Sequence, residues 1–338
     1  MTWIKSVIKI LIVLILSCAF FLLMLFRSDI SADEIINKYQ TPESHFVSIN
    51  GENIHVRFMG EGEPIFLLHG SFSSLHTWEV WQRELSPYFM TISLDFPGHG
   101  LTGPSKEKLY SIQDYSQLVL QLAEKLNLER FHIAGNSMGG AVALQVATTR
   151  PDRVLSLNLI NASGAPPMLS NRSDTLNLSK KGGEAWIFRL ARNPVFSQIL
   201  LKCTPKFLFA MNMKQVYFDP DKIEEKTLER YYELMLRKGN RQATMDRLSI
   251  PKDSSIDFDR LDMPTLIIWG ENDNWIPLSH AYQFEKAISG SKLKIFKNAG
   301  HVPMEEIPTE SVAAYLSFLG VEIRKDYFDV PKLISHVD

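Results

Sequence analysis

The sequence predicts an α/β fold: a mostly parallel sheet of eight strands with helices on both faces, an inserted helical lid and an N-terminal transmembrane helix. Three observations predict it: strand-like runs that alternate with helical patterns, one long interruption of that alternation, and an N-terminal segment without charges. The chain has 338 residues and is 45% hydrophobic, so it can bury a large core. This length fits one large domain with an insertion, or two modest domains.

The chain contains eight strand-like runs. The first two flank Asn50-Gly51, a pair typical of a tight hairpin turn. The later runs alternate with helical patterns, and the helix after Ser111 begins with the capping box Ser111-x-x-Asp114. This alternation is typical of a parallel sheet covered by helices on both faces. The predicted strands are 46–49, 53–59, 65–69, 90–94, 131–134, 154–160, 264–269 and 292–296.

One long segment interrupts the alternation. About a hundred residues between Gly164 and Met263 have helical character and no strand pattern, which is too many for a loop in a compact domain. We therefore predict an inserted helical lid. Its apolar residues, Trp186 and Phe188 among them, either form a small core of the lid or face a pocket for an acyl chain. The predicted segments are an anchor (1–27), the first part of the core (44–164), the lid (165–262), the second part of the core (263–320) and a tail (321–338).

The N-terminal segment predicts a membrane anchor. Seventeen residues without charge run from Ile10 to Phe26, and Val7 and Ile8 extend the span to about twenty if Lys9 reaches the headgroups with its charge, enough to cross a bilayer. A cleaved signal peptide is the alternative, but its apolar part is usually about 7–15 residues long. Lys5 and Lys9 precede the span, which predicts a cytoplasmic N-terminus and a large domain on the non-cytoplasmic side.

Composition argues against several classes of partner and cofactor. The formal net charge is −2 and no basic stripe with interleaved aromatic residues is present, which disfavours nucleic acid as a partner. Cys18 and Cys203 are the two cysteines and lie far apart in the chain, so they form neither a disulfide framework nor a multi-cysteine metal site. No HExxH or CxxC motif occurs. We expect no metal and no cofactor.

The stretch HIAGNSMGGAV, residues 132–142, contains a candidate nucleophile. In Gly135-x-Ser137-x-Gly139, small residues flank a serine, as expected where a strand turns sharply into a helix and holds the serine in a strained, exposed conformation. The motif alone is weak evidence because glycine and serine are common. Its position between a predicted strand and a predicted helix supports Ser137 as a nucleophile.

An acid and a histidine follow the last two predicted strands. A serine hydroxyl needs a base to take its proton and a carboxylate to orient that base. The loop after strand 264–269 contains Glu271 and Asp273, and the loop after strand 292–296 contains His301. The serine, an acid and the histidine are therefore expected to meet beyond the strand ends.

Four separate segments resemble the α/β-hydrolase family, and the resemblance extends over about residues 44–320. The pattern Gly-x-x-Asp-x-x-x-Pro at 270–277 implies that Asp273, rather than Glu271, is the acid. The other segments are Gly-Asn-Ser-Met-Gly-Gly around Ser137, the pair Gly300-His301, and the run Leu67-Leu68-His69-Gly70-Ser71.

The resemblance implies a role for each residue of the site. Ser137 attacks a carbonyl, His301 transfers the proton and Asp273 orients the histidine. The backbone N–H groups of Ser71 and Met138 form the oxyanion hole, with Phe72 as the alternative to Ser71. Phe72, Trp186 and Phe188 are expected to contact the substrate. Some relatives carry their acid after the preceding strand, but this chain has no carboxylate at 161–164.

The resemblance leaves three functions open. The first is a membrane-anchored serine esterase or lipase that acts on small-molecule or lipid esters, including monoacylglycerols. The second uses the same triad as a carbon–carbon hydrolase of ring-cleavage products, and the third is a non-catalytic binding protein on this fold. A Gly-x-Gly-x-x-Gly match at 98–103 follows a strand but precedes no helix, so we interpret it as a turn rather than a dinucleotide site.

Overall fold

The computed structural model describes residues 2–166, 201–251 and 256–322. Trp186 and Phe188, which the sequence predicts as substrate contacts, lie outside these residues, as does most of the predicted tail.

An eight-stranded sheet forms the centre of the protein, with the strand order β1-β2-β4-β3-β5-β6-β7-β8. Strand β2 pairs antiparallel with β1 and β4, and every other pair is parallel. The predicted sheet is therefore confirmed. The strands are β1 Ser44–Ile49, β2 Glu52–Met59, β3 Pro64–Leu68, β4 Met90–Leu94, β5 Phe131–Asn136, β6 Val154–Ile160, β7 Thr265–Gly270 and β8 Lys292–Phe296.

Helices cover both faces of the sheet. In β3, Phe66 and Leu68 belong to the apolar core on one face, and Ile65 and Leu67 to the core on the other, because successive side chains of a strand point to opposite sides. The predicted capping box at Ser111 is present at the start of α4. The described helices are α1 Thr2–Leu25, α2 Ala32–Tyr39, α3 Glu79–Leu85, α4 Ile112–Lys125, α5 Met138–Thr149, α6 Lys206–Val216, α7 Glu225–Leu236, α8 Asn240–Leu248, α9 Ser279–Ala287, α10 Pro303–Glu306 and α11 Pro308–Phe318.

The described part of the predicted lid is helical. Helices α6, α7 and α8 lie between β6 and β7 in the chain, and residues 201–251 contain no strand. The division of the chain into the five predicted segments stays a prediction.

Residues 98–103 form a tight turn around a buried carboxylate. Asp95 accepts hydrogen bonds from the backbone N–H of Leu75 (2.7 Å) and Leu101 (2.8 Å). A Cβ at Gly100, which has φ +47°, would lie 2.1 Å from the Asp95 carboxyl group. Since the next α-helix begins at Ile112, the glycines serve this turn, as the sequence predicts.

The predicted transmembrane anchor over residues 1–27 is not confirmed. Its residues do form helix α1, which exposes many apolar side chains. Across the ranges that the structure describes, however, no helix has both the length and the apolar character needed to cross a membrane.

Buried histidines are expected to make the protein less stable in acid. Burial, reinforced by the charge of Arg230, lowers the pKa of His76 from 6.5 to about 3. Between these values the unfolded chain binds a proton that the folded chain does not, so stability falls as the pH falls below 6.5. At pH 5 the low pKa of His76 in the folded chain reduces the free energy of unfolding by about 2 kcal/mol.

Urea denaturation of the wild type and His76→Gln checks this expectation. The stability advantage of the wild type over the variant is expected to shrink by about 2 kcal/mol from pH 7 to pH 5. The exposed His45 provides the control, His45→Gln. A wild-type advantage that is the same at both pH values would contradict the prediction.

Candidate active site

Ser137 occupies a strained turn between β5 and α5. Its φ and ψ angles are 54° and −117°, a conformation that side-chain-bearing residues rarely adopt. The turn has no room for larger neighbours. A Cβ at Gly135 would lie 2.2 Å from the carbonyl oxygen of Gly139, and one at Gly139 would lie 2.1 Å from that of Leu68. The small residues of the motif are therefore required by the close approach of β5, α5 and β3.

Asp273 and His301 form a buried pair beyond β7 and β8. The distance between His301 Nδ1 and Asp273 Oδ2 is 2.7 Å, and the two side chains are 3% and 0% exposed. The second carboxylate oxygen accepts the backbone N–H groups of Trp275 (2.7 Å) and Ile276 (3.0 Å). A carboxylate accepts the Nδ1 proton, which leaves Nε2 of the neutral ring as the basic nitrogen.

Asn161, directly after β6, holds the acid in place. Its Nδ2 donates to Asp273 Oδ2 (2.7 Å), and its Oδ1 accepts the backbone N–H of Gly270 (3.1 Å). Asn161 is fully buried and has a positive φ of 43°. The amide therefore occupies the strand end where some relatives carry their acid, and it binds the acid supplied by the next strand.

Asn136 links the serine turn to the histidine loop. Its Nδ2 donates to the carbonyl oxygens of His301 (2.9 Å) and Ile160 (3.1 Å). In the part of the chain that the structure describes, the buried His301 Nε2 has no hydrogen-bond partner. It therefore makes no hydrogen bond with the Ser137 hydroxyl. Catalytic hydrogen bonds are often long before substrate binds and tighten in the complex. Ser137 and His301 therefore need to move closer together before the proton of the Ser137 hydroxyl can pass to His301 Nε2.

The loop after β3 lies against the serine. A Cβ at Gly70 would lie 3.1 Å from Ser137 Cβ, so the next residue, Ser71, begins beside the nucleophile. Within the described residues, the backbone N–H groups of Ser71 and Met138 donate no hydrogen bond. This leaves both available to an oxyanion, although their roles stay predictions.

His69 fixes the shape of this loop. Its Nδ1 donates to the carbonyl oxygen of Gly70 (2.7 Å), and its Nε2 accepts the backbone N–H of Phe96 (3.0 Å). Burial lowers the pKa of His69, which favours the neutral ring that this arrangement requires. His69 therefore braces the loop.

An apolar cavity of about 120 Å³ adjoins the site. It exceeds the roughly 10–15 Å³ that one water molecule needs, so it can hold part of a ligand. Trp275, in its wall, has its ring centroid 5.4 Å from that of His301. Phe72, with φ +61°, forms another part of the wall, and its role as a substrate contact stays a prediction. The other described lining residues are Leu201, Cys203, Thr204, Pro205, Leu208, Phe209, Asn212, Met213, Met235, Arg241, Thr244, Met245 and Leu248.

Comparison with known proteins decides the family. A family profile described as alpha/beta hydrolase fold matches residues 63–308, well over half of the 338-residue chain. The chain belongs to the α/β-hydrolase family.

Three similar proteins illustrate the range of this α/β-hydrolase's relatives. It is 31% identical over 261 residues to 2-hydroxy-6-oxononadienedioate/2-hydroxy-6-oxononatrienedioate hydrolase 1 of Pseudomonas putida, covering 74% of this chain and 85% of the relative. The enol-lactonase from Burkholderia xenovorans LB400 has a TM-score of 0.67 and 19% identity, covering 82% and 100% of the two chains. A membrane phospholipase A, described as a bacterial virulence factor, has a TM-score of 0.66 and 23% identity, covering 94% and 98%. The two solved structures show the shared fold alone.

Sequence reasoning missed two amides of this α/β-hydrolase's site. Asn161 stands out in the sequence only because no carboxylate is present at 161–164, and Asn136 only as part of the serine motif. Each lies at the end of an apolar strand, where a polar side chain at the carboxyl edge of a parallel sheet indicates a site. That position is the signal that could have identified them.

Proposed function

We propose that this α/β-hydrolase is a serine hydrolase that cleaves carboxylic esters with an apolar acyl group. Ser137 Oγ attacks the ester carbonyl while His301 Nε2 takes its proton, and Asp273 stabilises the imidazolium. The backbone N–H groups of Ser71 and Met138 bind the oxyanion. His301 then protonates the leaving alcohol, and water, activated by the same histidine, releases the acid from Ser137.

The apolar cavity is the observation that supports an apolar acyl group. Its described lining contains one charged side chain, Arg241, and that guanidinium is already engaged. Its Nη2 lies 2.6 Å from Asp29 Oδ1, and its Nη1 donates to Thr204 Oγ1 (2.8 Å). An acyl chain gains free energy in such a cavity because each buried methylene contributes about 0.8 kcal/mol.

Narrowing the cavity should shift the enzyme towards short esters. Met213 lines the cavity, and Met211 on the same helix is 54% exposed. Met213→Trp is expected to lower kcat/KM for p-nitrophenyl octanoate roughly 10- to 100-fold, since excluding two or three methylenes costs about 2 kcal/mol. The rate on p-nitrophenyl acetate should change little.

Met211→Trp is the matched control, because it adds the same side chain outside the cavity. Measured kcat/KM values for esters of graded chain length give the comparison. If Met213→Trp lowered kcat/KM equally for the acetate and octanoate esters, this result would argue against the cavity as the acyl site.

Carbon–carbon hydrolysis is the second candidate, and the Pseudomonas putida relative at 31% identity favours it. That relative is named for dioate substrates, which carry two carboxylates. Binding two carboxylates requires cationic side chains that are not already in an ion pair, whereas Arg241 is paired with Asp29. We therefore rank ester hydrolysis first. Turnover of a vinylogous 1,5-diketone, with none of any ester, would reverse the ranking.

We also propose that helix α1 attaches the enzyme to a lipid surface. Apolar side chains are exposed along its length, including Trp3 (77%), Ile10 (60%), Leu16 (63%) and Leu23 (74%). An apolar surface of this extent is typical of a membrane or protein contact. Attachment would hold the cavity near apolar esters. The location of the hydrolase domain on the non-cytoplasmic side stays a prediction.

Removal of residues 1–27 tests the attachment. The full chain is expected to sediment with phosphatidylglycerol vesicles and the shortened chain to stay in solution. Both should hydrolyse p-nitrophenyl butyrate at similar rates, which shows that the shortened chain is folded. Equal sedimentation of the two chains would contradict the proposal.

A further inference from the structure

A buried glutamate that no motif of the sequence identified contacts the histidine loop. Glu306 is the last residue of α10, five residues after His301, and is 4% exposed. Its Oε2 accepts the backbone N–H of Gly300 at 2.7 Å. Gly300 directly precedes His301, so this hydrogen bond holds the loop that carries the proposed base.

The same carboxylate binds the segment that follows helix α6. Glu306 Oε2 also accepts the backbone N–H of Phe218 (3.1 Å), and Oε1 accepts that of Asp219 (2.7 Å). Three backbone donors thus meet one carboxylate. Charge-assisted hydrogen bonds of this kind are roughly twice as strong as neutral ones and fix both partners in direction.

The segment after α6 in turn holds the histidine. The backbone N–H of His301 donates to the carbonyl oxygen of Val216 at 2.7 Å. A Cβ at Gly300 would lie 2.6 Å from the same oxygen and 2.7 Å from the nitrogen of Phe218, so the two segments touch without spare room. A shift of the 216–219 segment would therefore displace the His301 backbone.

We infer that Glu306 is a positioning residue for His301, acting by joining the histidine loop to the 216–219 segment. This inference rests on the proposed function of His301 as the base. His301 Nε2 must come within hydrogen-bond distance of Ser137 Oγ, and a misplacement of about 1 Å can cost 10²-fold in rate. The neighbouring Glu305 makes different contacts. Its carboxylate accepts hydrogen bonds from the hydroxyl groups of Thr77, Tyr217 and Tyr231.

Glu306→Gln tests the inference, because the amide keeps the size but presents an N–H group to backbone donors. We expect kcat on p-nitrophenyl butyrate to fall roughly 10- to 100-fold with KM within about twofold. The rate of fluorophosphonate labelling at Ser137 should fall by a similar factor. The downfield proton resonance of His301 Nδ1–H should also broaden or shift. A purely structural role would lower the melting temperature and leave these readouts of the folded protein unchanged.

Glu310→Gln is the matched control, since it removes an exposed carboxylate from the adjacent helix α11. Circular dichroism establishes the folded state of each variant, and Glu306→Asp carries the test if Glu306→Gln does not fold. Wild-type rates in the folded Glu306 variant would overturn the positioning role while leaving Ser137 as the nucleophile. Failure of the wild type to label at Ser137 would overturn both proposals.

Discussion

Ser137→Ala is expected to lower kcat on p-nitrophenyl butyrate by about 10⁴- to 10⁶-fold, because the substitution removes the atom that forms the acyl-enzyme. The turn itself should survive, since alanine is smaller than serine and the crowding arises at Gly135 and Gly139. Steady-state rates of purified wild type and variant give the measurement. Circular dichroism should show the same folded state for both.

Ser48→Ala, at an exposed position on β1, controls for the loss of a hydroxyl group. It should retain wild-type activity. If Ser137→Ala turned over the ester as fast as the wild type, Ser137 would not be the nucleophile and the activity would belong to another group.

Asp273→Asn should lower kcat by about 10⁴-fold while preserving the fold, the second largest effect we expect. An amide in this position can donate to His301 Nδ1, which stabilises the tautomer with its proton on Nε2. That tautomer cannot accept the proton of Ser137. Measurement of kcat and KM should show the loss mainly in kcat.

The neighbouring acid provides the control. Glu271 lies in the same loop and is exposed, so Glu271→Gln removes a carboxylate without touching His301. It should keep near wild-type activity. If kcat fell strongly in Glu271→Gln and only slightly in Asp273→Asn, the catalytic acid would be assigned to the wrong residue.

The sequence predicts the sheet and the three loops of the site well because local patterns encode them. The eight predicted strands agree with the observed ones to within two residues at each end. Apolar strands and capped helices have short-range signals, and so does the crowded turn at Ser137. The positions after the last two predicted strands indicate His301 and either Glu271 or Asp273, and the resemblance to the α/β-hydrolases implies that Asp273 is the acid.

The contacts that support the site depend on distant parts of the chain, which explains why local patterns do not reveal them. Asn161 and Asp273 are 112 residues apart, and Phe218 and Glu306 are 88 apart. Asn136 and Asn161 have the single local signal of lying at strand ends, and Glu306 has none that distinguishes a buried partner from a solvated side chain. The cavity wall likewise combines the β3 loop, helices α6 and α8 and the loop after β7. Only the folded chain brings these together.

Fluorophosphonate labelling of the folded protein, followed by identification of the modified peptide, tests the central claim most directly. A serine reacts with this probe when a nearby base withdraws its proton. We expect one label, on Ser137, in the wild type, and almost none in His301→Ala. A folded wild type that stays unlabelled, or that carries its label on a different residue, would contradict the account.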